Sequence, residues 1–226
     1  MNTPAPRLNR DDVLRAALEL LNEVGIDALS TRRLADKLGV QSPTLYWHFK
    51  SKAALLDAMT EAIVLAHHTH AQPAAGQAWQ DWLMADGRGF RRALLSYRDG
   101  ARLHAGTRPG DTERASIEAR LRLLCNAGFE PAAATLLMMS IGRFVVGWVL
   151  EEQSLQQPNP PASSRLPGPD ATRYPLLAAG WAATVGGEAD AVFDRALRLL
   201  INGATPAASP PTGSPGTAPC RPRPAA

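Results

Sequence analysis

The 226 residues contain only two cysteines, Cys125 and Cys220. That excludes a disulfide framework and a four-cysteine zinc site. Cys220 sits in a proline-rich tail, so no bridge between the two is expected. Charge of one sign is scarce: 24 Lys and Arg stand against 21 Asp and Glu, a net +3. So small an excess does not argue for a polyanionic partner; only a local basic face could. Long apolar runs are missing too. The most apolar stretch, 135–150, carries Arg143 and is shorter than the roughly 20 residues of a membrane span. The start, MNTPAPRLNRDD, has no apolar run for a secretory signal. A soluble, cytoplasmic protein is expected. No G-x-S-x-G, phosphate-cradling glycine loop, zinc-protease motif or flavin site occurs, so no catalytic centre is expected. What is abundant is apolar residues, at 45%, enough for a sizeable core.

Those residues recur with helical period. Val13, Ala17, Leu20, Leu21 and Val24 share a face behind an N-cap at Asn9 or Asp11, with Gly25 placed to end the helix. Ser30 caps a second helix with Leu34 and Leu38 inward, ending at Gly39. Ser42-Pro43 reads as an N-cap followed by proline at the first helical position. Ser51 caps a long helix running to about His68. Further helices are expected over 79–97, 112–127, 131–152, 176–184 and 188–202, with a loop from His104 and an irregular connection over 157–170. Residues 204–226 form a low-complexity, disordered tail. No strand signals occur, so the chain is all-α, with eight to ten helices.

Helix 30–38, a tight glycine turn and helix 43–49 have the spacing of a helix-turn-helix, whose second helix enters the major groove. At about 100° per residue, Leu45 and Phe49 form an inward stripe. Pro43, Thr44 and Trp47 lie opposite, fit to touch thymine methyls and base edges. Tyr46 and His48 fall on the flanks, within reach of phosphates. Lys50, Lys52, Arg32 and Arg33 add positive charge nearby. The plainer alternative is that Tyr46 and Trp47 are core aromatics, but Leu45 and Phe49 already fill the inward face.

The run from LNRDDVLRAALELLNEVG to LYWHFKSKAALLDAM resembles the DNA-binding domain of the tetracycline repressor family. HHTH at 67–70, ALLSYRDGARLHAGTRPG at 93–110, LRLLCNAGF at 121–129 and VLEEQ at 149–153 resemble the tetracycline-resistance repressors proper. The likeness is strong to about residue 153 and weak beyond, where YPLL at 174–177 remains. It implies a homodimer with a helix-turn-helix domain at 1–52 and a ligand-binding and dimerisation domain at 53–203. Dimerisation would run through a four-helix bundle built from 131–152 and 188–202, whose apolar residues go nearly all round. The resemblance implies a repressor of palindromic double-stranded operator DNA, controlling a tetracycline resistance gene. Operator contacts would come from Thr31, Arg32, Gln41, Ser42, Pro43, Thr44, Tyr46, Trp47, His48 and Lys52.

The resemblance further implies an inducer that arrives as a tetracycline chelate of Mg²⁺. His104 matches the direct metal ligand, and Thr107 and Glu151 match groups that hold metal-bound water. The drug supplies oxygens, which suits a hard cation. His68, Asp86, Phe90, Arg108, Pro109, Ile117, Arg120, Met138, Leu177 and Trp181 match the effector-binding positions. Movement near His104 would shift helix 52–68 and separate the two reading heads.

Three positions depart from the pattern. Asp86 stands where those repressors have asparagine, Arg120 where they have glutamine, and Arg143 where they have histidine. A buried charge needs a partner, and an Asp86–Arg120 pair is expected to supply it. Either that pair still reads the drug's polar edge, or the pocket is retuned for another chelating or anionic ligand. Gln41 and Ser42 stand where the family has glutamate or glutamine, then glutamine, so an altered or relaxed base preference is expected there. Ser42 as a mere helix cap is the simpler role. A constitutive architectural DNA binder, with no ligand release, is the remaining alternative.

Overall fold

A computed structural model describes residues 8–67, 73–74, 76–156, 168–184 and 188–206. His68, Cys220, the opening residues 1–7, most of the 157–170 connection and most of the tail lie outside the described residues. Ten helices are described: α1 Arg10–Ala28, α2 Thr31–Leu38, α3 Ser42–Tyr46, α4 Lys52–His67, α5 Trp79–Leu95, α6 Gly100–Ala105, α7 Asp111–Asn126, α8 Pro131–Leu155, α9 Pro175–Thr184 and α10 Ala189–Asn202. The all-α expectation holds, and the described residues contain no strand.

Local capping sets the starts of α1, α2 and α4 and the end of α2. Asn9 accepts from the Asp12 N–H at 2.8 Å, Ser30 from Arg33 at 3.2 Å and Ser51 from Ala54 at 3.1 Å. Gly39 ends α2 in the left-handed region (φ 66°), and its N–H donates back to Ala35 and Asp36. One cap differs. Gln41, not Ser42, is the N-cap of α3, without a side-chain cap bond, so Ser42 and Pro43 both sit inside the first turn. Gly25 (φ 75°) does break α1, but the chain resumes helix to Ala28.

The chain divides into two compact units, residues 1–69 with 90–114, and residues 70–89 with 115–226. The first is built on Val13, Leu21, Leu34, Leu45, Phe49, Met59, Ile63 and Leu103, all buried. It includes α6, over residues that the sequence reading assigns to no helix, and the loop expected from His104 begins only after this helix. Helix α6 is only six residues and exists through its neighbours. Asp99, in the left-handed region (φ 57°), has a buried carboxylate that accepts from the Ile26 N–H at 2.9 Å. Arg98 donates its N–H to Asn22 at 2.8 Å, and the Arg102 guanidinium clasps Asp27 at 2.7 and 2.9 Å. The α5–α6 turn thus fastens to the broken end of α1. A side chain at Gly25 would collide with the Asp99 carboxylate at 2.9 Å, so the break needs glycine for space as well as conformation.

The second unit packs α8 against α10. Ala134, Leu137, Ile141, Val145 and Val149 of α8 are buried, as are Phe193, Leu197 and Ile201 of α10. Phe144, Trp148 and Phe193 form an aromatic cluster with centroids 5.4–5.6 Å apart. Arg88 grips Asp194 with two bonds of 2.7 and 2.6 Å. Leu136 and Met139 of α8 and Leu199 and Leu200 of α10 are exposed, so both helices carry a second apolar face. Helix α9 has no buried residue at all. The sequence reading made the apolar stretch too short for a membrane. Helix α8 has 25 residues and a mean hydropathy of 1.7 over its most apolar window, so length does not exclude a span. It is the one such helix among the described residues.

Candidate nucleic-acid interface and ligand-responsive corner

The reading segment has the orientation its spacing predicts. Leu45 and Phe49 are buried, while Trp47 is 88% exposed and Tyr46 52%. Gln41 and Pro43 are exposed; Ser42, Thr44 and His48 are half-buried. The aromatics are therefore not core residues. An indole left in water at the C-cap of a five-residue helix, beside exposed Tyr46, invites a partner surface. Thr31 is half-buried at the start of α2, and Arg32 and Lys52 are exposed.

Residues 8–52 hold seven cations, which sort into two groups. Arg15 pairs with Asp12 at 2.7 Å, and Lys37 pairs with Glu23 at 2.7 Å and Glu19 at 3.4 Å, which raises the Lys37 pKa. Arg10, Arg32, Arg33, Lys50 and Lys52 have no carboxylate partner among the described residues. Sequence reading left Arg10 out. Its sign is a structural one, stacking on Phe49, which no local spacing reveals.

The same unit holds the His104 corner. His104 lies in the last turn of α6, half-buried, with the Phe90 ring edge-on at 5.0 Å and 68°. The Thr107 hydroxyl donates to the His104 carbonyl at 3.0 Å and lies 3.0 Å from the buried Thr60 hydroxyl of α4. The Arg108 N–H donates to Asp57 of α4 at 3.3 Å. Arg108 and Pro109 are exposed. The loop after α6 is thus stitched to α4, the helix that follows the reading segment.

Burial pushes the His104 imidazole below its ordinary value of 6.5. Neutral imidazole is the ligating form, so a bound cation would compete with protons only at lower pH. A depressed histidine means that the unfolded chain binds the proton first. Stability attributable to His104 is therefore complete above pH 6.5 and is lost as pH falls through the folded value. An NMR titration of the His104 ring should give a midpoint below 6.5.

The donor set bears on any metal. Among the described residues no group of three or more His, Cys, Asp or Glu comes together. One neutral imidazole beside a hydroxyl is too little to strip a hard cation of its waters. It does fit a cation that arrives already carrying oxygen ligands. Glu151, on α8 in the second unit, is exposed.

In the second unit, Asp86 of α5 and Arg120 of α7 form the expected pair. Arg120 Nε is 3.2 Å from Asp86 Oδ1, and the two side chains are only 8% and 7% exposed. Ile117 and Met138 are half-buried, whereas Leu177 and Trp181 of α9 are exposed. Arg143 is exposed as well, so it is no buried charge in need of a partner.

Comparison with known proteins now places the chain. Residues 13–59 match the family model described as bacterial regulatory proteins, tetR family, and residues 72–206 match the tetracyclin repressor-like C-terminal domain. The chain belongs to the TetR family. It is 47% identical over 197 residues to the class A tetracycline repressor of transposon 1721 from Escherichia coli, covering 87% of this chain and 90% of that one. The class A repressor solved with 5a,6-anhydrotetracycline and magnesium is 41% identical, with a TM-score of 0.65 over 87% of this chain and 98% of that one. ActR from Streptomyces coelicolor, solved with actinorhodin, is 27% identical, with a TM-score of 0.74 over 88% and 97%. TetR-family proteins are transcriptional regulators, not enzymes, and bind operator DNA as homodimers. This TetR-family chain is accordingly a DNA-binding transcriptional regulator.

Proposed function

We propose that this protein is a homodimeric repressor that releases a palindromic operator when a tetracycline–Mg²⁺ chelate binds. One observation carries the reading. A single compact unit contains both the exposed α3 and the His104 corner, and α4 links them through Thr60–Thr107 and Asp57–Arg108. A change at His104 therefore has a hydrogen-bonded route to the reading head. The identity to tetracycline repressors over 87% of the chain supports the choice of inducer.

In this proposal Gln41–His48, with Thr31, Arg32 and Lys52, contact DNA. His104 would hold the metal directly; Thr107 and Glu151 would hold its water. The metal, when bound, supplies positive charge that anchors the drug's oxygens. His68, Asp86, Phe90, Arg108, Pro109, Ile117, Arg120, Met138, Leu177 and Trp181 would contact the drug. The two exposed apolar faces, Leu136 with Met139 and Leu199 with Leu200, support a bundle between two copies of α8 and α10. The functional division at 1–52, 53–203 and a tail from 204 belongs to the same proposal, as do cytoplasmic placement and control of a resistance gene.

The Asp86–Arg120 pair favours a second reading. A ligand edge suited to two neutral amides would here meet two buried charges, so a different small molecule becomes the inducer, as actinorhodin is the ligand held by ActR. A gel shift with the class A operator separates the readings. Release by micromolar tetracycline only when Mg²⁺ is present supports the first; no release at any drug concentration sinks it.

A further inference from the structure

We infer that Arg10 is an operator phosphate clamp, held in position by the ring of Phe49. Arg10 opens α1, far in sequence from the reading segment, yet its guanidinium carbon lies 4.9 Å from the centroid of the Phe49 ring. Phe49 is 6% exposed, with its ring in the core shared by α1, α2 and α3. The arginine is exposed and covers the ring's outer face. Phe49 follows His48 and precedes Lys50, so the guanidinium sits at the C-terminal end of the reading segment.

Three features make this a binding group rather than ordinary surface. First, the charge is unspent. Arg15, one turn on, is neutralised by Asp12, whereas Arg10 has no carboxylate partner among the described residues. Second, it is pre-placed. A guanidinium lying on an aromatic face keeps its donors at its edge and loses little freedom on meeting a phosphate. Third, it extends a set. Lys50 and Lys52 flank the same end of the reading segment and are likewise without carboxylate partners among the described residues. The target is the sugar–phosphate backbone of duplex DNA. Phosphate contacts set register and strength without reading bases.

The test compares wild type, R10M and R10K on a 30-base-pair duplex carrying the class A tetracycline operator and on an unrelated duplex of equal length. Affinity is measured as a function of salt. Methionine keeps an apolar cover over Phe49 while removing the charge. R10M is expected to bind both duplexes about 3- to 10-fold more weakly at 0.15 M salt, with the log–log salt slope reduced by about 1.8 for the two clamps of a dimer. R10K should recover most of the slope. A second variant, F49L, keeps the arginine and removes its platform. It should weaken binding less than R10M while leaving most of the slope. A wild-type slope in R10M would overturn the proposal and leave Arg10 as a lid on the core. So would a loss confined to the operator duplex, because that is base reading.

Discussion

Replacing Asp86 alone by alanine is expected to destabilise the ligand-free protein by about 3–5 kcal/mol, the usual result of stranding one member of a buried ion pair. Arg120, whose side chain is 8% exposed beside Asp86, would lose that counter-charge. A guanidinium cannot escape by losing its proton, so the cost cannot be avoided by titration. In a chain of this size that is roughly a 10 °C fall in Tm, read by calorimetry. Converting the pair to the relatives' amides, D86N with R120Q, should restore most of the lost stability, because no charge is left buried. The same double variant sorts the two inducer readings. If the pair is a weakened version of the relatives' amide pair, the double variant should bind tetracycline with Mg²⁺ at least 10-fold more tightly than wild type. If it answers a different ligand, the double variant should gain nothing, and wild type should show no saturable binding at micromolar drug.

The second large effect concerns His104. H104A should bind operator with wild-type affinity, because the imidazole lies in α6 and outside the reading segment. The inducer concentration that releases DNA should rise by about 100-fold or more, since supporting residues around a metal alone cost 10- to 100-fold. T107A should fall between the two and also lose its bond to the His104 carbonyl. Titrating inducer at several Mg²⁺ concentrations reads the difference. An H104A protein that still responds at wild-type drug and Mg²⁺ levels would leave His104 without a metal role. It would also shift weight to a regulator of unrelated compounds.

How much of this was legible beforehand follows from which contacts are local. Ser30, Gly39 and Ser51 mark their helix ends through partners three or four residues away, and such signals survive in a bare sequence. Leu45 and Phe49 fix the wheel of the reading segment, which leaves Trp47 outside whatever else the chain does. The cap of α3 is Gln41, and Ser42 lies one residue inside the first turn, a one-position difference that local spacing does not resolve. Helix α6 was invisible for a different reason. Six residues cannot sustain a helix alone, and the bond that anchors its start, from the Ile26 N–H to Asp99, joins residues 73 apart. Arg10 over Phe49 was equally hidden, being a contact between the start of α1 and the end of the reading segment.

The amino-acid order by itself thus determined the helical class, the helix-turn-helix and its outward aromatics, because period and capping act over a few residues. Tertiary structure alone decided that Asp86 and Arg120 are shielded from water, that α6 exists, and which cations keep their charge available. Each of those depends on the distance between groups far apart in the chain, and on how much water remains between them.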